Sequence, residues 1–292
     1  MSPEAQERRL SAPEILQFSE QGYVTVPGVL DEPTVRTVRT ALIDVFDAGV
    51  RHKGDIQLTG GVEGRGGGVR HDVLERLPFL RDVVLRPPVL DALRSLLGDD
   101  FVFLPEMAAH DSRYGHWHKD TTPMERAGLR WHWAPDFEMV QCAIYFQDND
   151  EFGGGLDVVP GSHTESDSTP PAPKVTLLNR VGNKLGFRAL TPKPTAPPPE
   201  PRGITLPSRA GDLVMFKFHC KHQATQPRSF SVADLPPDKR KIALFFACSA
   251  NNDHVGTYVE FVRSQYAHLA DGHSYSRDLL DLAAERGVSL VD

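Results

Sequence analysis

His118 and Asp120 stand two residues apart in the stretch Gly115-His116-Trp117-His118-Lys119-Asp120. In extended backbone, successive side chains point to opposite faces, so an imidazole and a carboxylate at i and i+2 share one face. On a helix the same spacing would not bring them together. The pair therefore reads as two donors aimed at one point, which suits a metal ion. His-x-Asp also arises by chance, and the chain has twelve histidines, so the reading depends on a third donor. His222 is the best candidate, and His219 competes with it. In a regular strand their odd spacing would put them on opposite faces. Two imidazoles and one carboxylate on one side of an ion form the facial donor set of non-haem Fe(II) sites. The bland alternative is a set of ordinary histidines with hydrogen-bond partners.

The bulk properties bound what such a site can serve. A chain of 292 residues with 40% apolar residues can bury a sizeable core. One large domain and two small ones both fit this length, and a single domain over 1–292 is expected. A formal charge of −7 gives no global attraction for nucleic acid or anionic membrane. Three cysteines, Cys142, Cys220 and Cys248, have no paired spacing, which points to reduced thiols in a cytoplasm. Cys220 lies two residues before His222 and can approach a metal, although a buried, inert thiol is the plainer reading. No apolar run is long enough to span a membrane, and the first fourteen residues lack a signal peptide's hydrophobic region. A cytoplasmic protein is expected.

The elements that must position the donors follow from the hydrophobic pattern. Residues 13–21 predict a short amphipathic helix, and Gly22 to Pro27 a β-branched strand. Asp31 is a plausible N-cap for a helix to about Ala48, with Val35, Val38, Leu42, Val45 and Phe46 on its buried stripe. Residues 54–69 are glycine-rich and read as a loop able to cover a site, where Arg65 and Arg70 could meet an anionic substrate. Pro87 to Leu97 predicts a helix ended by Gly98. From Phe101 the period turns strand-like and leads to the His118/Asp120 element.

Trp131, His132 and Trp133 line a pocket or, more commonly for such residues, close a core. Phe137 to Phe146 is an apolar strand interrupted by Gln141, a polar group that needs a partner: a bound ligand, the backbone or a neighbouring side chain. Residues 166–203 carry nine prolines and cannot build a compact core, so they read as a surface insertion able to fold over the site. Leu213 to Phe218 is a strand whose alternation carries on into His219-Cys220-Lys221-His222. Arg240 opens a last apolar strand, Ile242 to Cys248, and Ser276 to Arg286 is an amphipathic helix. Helices first, then many strands joined by Gly/Pro turns, predict a mainly β fold with flanking helices, an antiparallel double-layered barrel.

Four blocks in this order resemble the phytanoyl-CoA dioxygenase family of Fe(II)- and 2-oxoglutarate-dependent oxygenases. They are Gly22-Tyr23-Val24-Thr25-Val26-Pro27-Gly28-Val29-Leu30; Trp117-His118-Lys119-Asp120; Gly155 to His163 with its Pro-Gly-Ser-His end; and Gly211-Asp212 followed by His222 and Arg240. The resemblance runs from Gly22 to about Ala247. It implies a double-stranded β-helix, the cupin-like jelly roll. It implies His118, Asp120 and His222 as iron ligands, favouring His222 over His219, and Arg240 as the cation for the distal carboxylate of 2-oxoglutarate. A guanidinium suits that task, because its planar fork matches a carboxylate and stays charged when buried; a structural ion pair is the competing reading. Gln141 becomes a candidate contact of 2-oxoglutarate or substrate, and His116 a candidate neighbour of the metal or an ordinary histidine.

The implied reaction consumes O2 and 2-oxoglutarate, releases succinate and CO2, and hydroxylates an unactivated C–H bond of a small molecule, such as a biosynthetic intermediate. Two departures from the family are a longer loop between His222 and Arg240 and Pro227 where an Asn is common. Asp120 is intact, whereas halogenating relatives carry a small residue there, so oxygen insertion is expected. The alternatives are a same-fold metalloenzyme that needs no 2-oxo acid, against which Arg240 argues, and a non-catalytic jelly-roll binding protein, against which the intact donor set argues. The substrate and the oligomeric state are not readable from the sequence.

Overall fold

The structure is a computed structural model that describes residues 9–58, 67–165, 203–228, 231–266, 268–270 and 273–292. Two sheets organise it. The larger runs in the order β1 (Tyr23–Val26), β8 (Leu213–Lys217), β5 (Met139–Tyr145), β10 (Ile242–Ser249), β4 (Val102–Asp111), β3 (Gly68–His71) and β2 (Ile56–Gln57), with β11 (Ser289–Leu290) added to β4. The smaller runs β7 (Ile204–Thr205), β6 (Leu156–Val158), β9 (His222–Ala224). All pairings are antiparallel except that of β11 with β4. This is the expected mainly β, jelly-roll type of architecture.

Strand alternation sorts the large sheet into two faces. On one face Val140, Cys142 and Ile144 of β5, Leu213 and Met215 of β8, and Leu244, Phe246 and Cys248 of β10 join the main core. Helices cover that face: α2 (Glu32–Asp47) through Val35, Val38, Leu42 and Phe46, and α5 (Pro87–Leu97) through Val89, Leu90 and Leu93. The C-terminal helix α8 (Arg277–Glu285) adds Leu279 and Ala283. Val45, expected on the buried stripe of α2, is only half-buried. The opposite face carries small residues at its centre, Ala108, Ala143 and Ala243. Short side chains there leave room between the two sheets.

Local chemistry fixes the ends of the N-terminal elements. Helix α1 (Ala12–Gln21) starts at Ser11, whose backbone N–H donates to the Glu14 carboxylate at 2.8 Å, and stops at Gly22 with φ +83°. Asp31 accepts from the Thr34 N–H at 2.8 Å and starts α2. A Cβ at Gly22 would stand 2.6 Å from the His163 ring, so the end of α1 and the Pro-Gly-Ser-His block need a glycine to pack together.

Several sequence expectations are corrected here. The strand Leu213–Lys217 does not continue to His222: Cys220 N–H donates to Lys217 O at 2.8 Å, the chain turns, and His222 begins β9 in the other sheet. Arg70 meets no open surface; it is buried beside Asp55 at 3.9 Å and over the Phe46 ring at 4.9 Å. Trp131, by contrast, takes the commoner of its two expected places, packed among Phe137, His254 and Tyr258 against a core cluster. Helix α7 (His254–Gln265) is additional, although Val255, Tyr258, Val259 and Val262 do follow the i, i+3, i+4, i+7 pattern. Arg65, residues 59–66 of the glycine-rich loop and residues 166–202 of the proline-rich insertion lie outside the described residues. Among the described residues no helix is long and apolar enough to cross a membrane.

Candidate active site

His118 and His222 face each other across a single antiparallel bridge. His118 N–H donates to His222 O and His222 N–H to His118 O, both at 2.9 Å, and the ring centroids are 4.3 Å apart. Asp120 N–H donates to Phe218 O at 3.0 Å, at the turn between β8 and β9. Thus backbone bonds, rather than one continuous strand, bring the three side chains together. Asp120 Oδ1 lies 3.7 Å from His118 Nε2 and 3.8 Å from His222 Nε2. One ligand atom from each residue falls within 4.8 Å of the other two.

The protonation pattern suits a cation. His118 Nδ1 is 2.6 Å from His116 O and His222 Nδ1 is 3.0 Å from Cys220 O. A carbonyl only accepts, so each Nδ1 carries the hydrogen and each Nε2 presents its lone pair to the shared space. Burial holds the His222 pKa down to about 4 against the opposing Asp120 carboxylate, so this imidazole is neutral at physiological pH. Asp120 Oδ2 is buried and has no hydrogen-bond partner among the described residues. A buried carboxylate oxygen without a donor is costly, and a cation bound at Asp120 would offset that cost. The donor set therefore fits Fe(II).

Lys119, between the two donors in sequence, points the other way. It is buried, and its ammonium donates to Ser162 O at 2.8 Å and to Glu165 O. This ties the His-x-Asp element to the Pro-Gly-Ser-His block. His219 donates to or accepts from no metal donor: its ring packs on Trp133 and Phe137, with Nε2 on His132 O. His116 contributes its carbonyl, not its side chain. Cys220 is buried, and burial pushes its thiol up to about 11, so it stays protonated.

A cavity of about 610 Å³ opens beside the three donors, between the sheets. Gln141 and Tyr145 line it from β5 and Phe216 from β8. Arg240, expected to hold the 2-oxoglutarate carboxylate, does not line it. Its Nε and Nη2 fork onto Asp111 at 2.8 and 2.6 Å, and its Nη1 pairs with Asp47 at 2.8 Å. Lys241 faces the cavity instead, because neighbouring residues of extended chain point to opposite sides. Its ammonium is surrounded by the rings of Tyr114, Tyr145 and Phe245 at 5.5 to 5.9 Å. Among the described residues its hydrogen bond goes to Arg113 O at 2.8 Å. Burial and the Arg113 charge pull its pKa down to about 7. The Tyr145 hydroxyl is buried and has no partner among the described residues. Sequence reading missed Lys241 and Tyr145; the signal available for Lys241 was its place one step inside Arg240 on an inward-facing register.

A jelly roll with two imidazoles and one carboxylate beside an inter-sheet cavity is the architecture of the cupin-like non-haem iron oxygenases. A profile of the phytanoyl-CoA dioxygenase (PhyH) family matches residues 18–232, well over half of the chain. The chain belongs to that family of Fe(II)- and 2-oxoglutarate-dependent oxygenases, as its motifs suggested. The family's cofactors are iron and 2-oxoglutarate. Among solved structures, the α-ketoglutarate-dependent carbocyclase SnoK from nogalamycin biosynthesis is 20% identical, with a TM-score of 0.54 over 85% of this chain and 90% of that one. HygX from Streptomyces hygroscopicus with iron bound is 16% identical, with a TM-score of 0.54 over 84% of this chain and 88% of that one. EctD from S. alaskensis with 2-oxoglutarate and 5-hydroxyectoine is 15% identical, with a TM-score of 0.54 over 85% and 79%. At these identities the likeness is one of fold. Sequence comparison with curated proteins finds no match.

Proposed function

We propose that this protein hydroxylates an unactivated C–H bond of a small molecule, consuming O2 and 2-oxoglutarate and releasing succinate and CO2. The observation that carries this reading is the convergence of His118 Nε2, His222 Nε2 and Asp120 Oδ1, with Asp120 Oδ2 left without a partner. In this reading His118, Asp120 and His222 hold Fe(II). Bound iron with 2-oxoglutarate supplies the oxidising power that amino-acid side chains lack.

The chain's own residues bind, orient and exclude water. The ammonium of Lys241 and the hydroxyl of Tyr145 receive the distal carboxylate of 2-oxoglutarate, in place of the expected Arg240. Lys241 is a buried cation in an aromatic surround, and such a cation gains most from an anionic partner. Gln141, half-buried on the same wall, offers an amide to the co-substrate or the substrate. Phe216, packed on the His222 ring at 4.5 Å, keeps water from that side of the metal position. The chain acts as one domain over residues 1–292 and works in the cytoplasm, a reading supported by three buried free cysteines.

The test is anaerobic. Fe(II) and then 2-oxoglutarate are added to metal-free protein, and the weak visible charge-transfer band of the chelate is followed. A band that is absent from Asp120→Ala and needs far more 2-oxoglutarate in Lys241→Met supports the reading. Wild-type protein that binds Fe(II) but gives no band sinks it.

A further inference from the structure

The cavity holds a carboxyl group, Glu106, that neither the metal nor the co-substrate reading uses. We propose that the substrate of this site carries a positively charged amine, which pairs with the carboxylate of Glu106. The proposal rests on the oxygenase reading above and names the chemical class of its substrate.

Glu106 lies on β4, and with Ala108 and His110 it forms the inward-facing i, i+2, i+4 row of that strand. It lines the same cavity as His118, Asp120 and His222. The Tyr258 hydroxyl from α7 donates to its Oε2, and Tyr266 also reaches it. Met124, Phe218, Phe261 and Val262 give the same cavity apolar lining. Among the described residues no lysine, arginine or histidine forms an ion pair with it, whereas Asp111, Asp55 and Asp91 all have one.

A carboxyl group inside an apolar wall is held away from ionisation unless a cation arrives. Burial, with the nearby Asp120 charge, pushes the Glu106 pKa up to about 8, against the Tyr266 hydrogen bond. An ammonium entering the cavity supplies the missing counter-charge, and the tyrosine rings offer electron-rich faces to the same cation. Lys241, just before β10, is the corresponding group for an anion. Lys241 and Glu106 line one cavity with the metal donors, together with Arg113 and Arg126, so an amine held at Glu106 lies in the same space as the metal position. A site built on a buried charge discriminates strongly against a ligand that cannot pair with it.

The test uses wild-type protein loaded with Fe(II) and 2-oxoglutarate under argon. Cyclohexylammonium and its neutral counterpart cyclohexanol are titrated in by calorimetry. The expected result is that the cation binds at least about tenfold tighter, and that Glu106→Gln abolishes the preference. Glu106→Asp, which keeps the charge but withdraws it, retains a reduced preference; melting curves check that both variants are folded. Equal binding of the two compounds, no binding of the cation, or a preference that survives in Glu106→Gln overturns the proposal. The wild-type comparison stands even where a variant does not fold. The chelate band in the same sample separates the two readings: without the band the oxygenase reading fails, and with it only the amine proposal is at stake.

Discussion

Arg240 grips Asp111 with two parallel bonds, Nε to Oδ1 at 2.8 Å and Nη2 to Oδ2 at 2.6 Å, on the far side of the backbone from the cavity that Lys241 lines. Both partners are buried, and Asp111 together with Asp47 holds the guanidinium more firmly protonated than usual. The pair joins β4 to the segment that opens β10. Replacing Arg240 by Met leaves Asp111 buried without its cation and should cost about 3 kcal/mol in urea unfolding. The affinity for 2-oxoglutarate should move far less than it does in Lys241→Met. The reverse ranking would return the carboxylate role to Arg240.

The low pKa of Lys241 gives the co-substrate site a pH signature. Below pH about 7 the ammonium is charged in the free protein and can receive a carboxylate; above it the amine is neutral and must take up a proton on binding. The Kd for 2-oxoglutarate should therefore rise above pH 7, approaching about tenfold per pH unit. Lys241→Arg stays charged and should flatten this rise, while Tyr145→Phe should weaken binding about tenfold at all pH values. Titrations of the chelate band from pH 6 to 9, on the order of three pH units in all, read both effects.

Metal binding should appear as stability. A ligand present at about 100 times its Kd adds about 2.7 kcal/mol to the folded state, which is a rise of several degrees in Tm. Anaerobic Fe(II), or Co(II) as an air-stable substitute, should produce that rise in wild-type protein and not in Asp120→Ala. Without metal, Asp120→Ala should unfold within about 1 kcal/mol of wild type, because Asp120 Oδ2 has no partner to lose.

Lys119 predicts an effect at a distance. Its ammonium holds the carbonyls of Ser162 and Glu165, and the residues on either side of it in sequence are His118 and Asp120. Lys119→Met leaves these carbonyls without their donor and should cost about 2 kcal/mol in stability. It should also weaken Fe(II) binding, because the backbone between His118 and Asp120 loses its anchor. Calorimetric Fe(II) titration compared with urea unfolding separates these two effects.

Much of this protein was legible in its residues. The helices at 12–21, 32–47 and 87–97 announce themselves by caps and by apolar stripes, both of which are local properties. The strands announce themselves by β-branched runs between Gly/Pro turns. His118 and Asp120 stood out because a spacing of two has a direct geometric meaning in extended chain. Helix α7 had a readable stripe too, although its turn signals are weak.

Tertiary structure alone decided the rest. His222 reaches His118 through a turn at Phe218–Cys220 and an isolated bridge from β9 to the His-x-Asp segment, and no period within one strand encodes such a crossing. The cations at 240 and 241 are adjacent in sequence. Which one meets the cavity depends on strand register, and a shift of one residue would exchange them. Glu106 reads in sequence as an isolated acid in an apolar strand. Its meaning comes from Tyr258 and Tyr266, more than 150 residues later, whose hydroxyls reach its buried carboxyl group. Sequence fixes which donors a chain owns and which way they alternate; packing of distant segments fixes which of them share one dry space, and in that space charge acquires its chemical force.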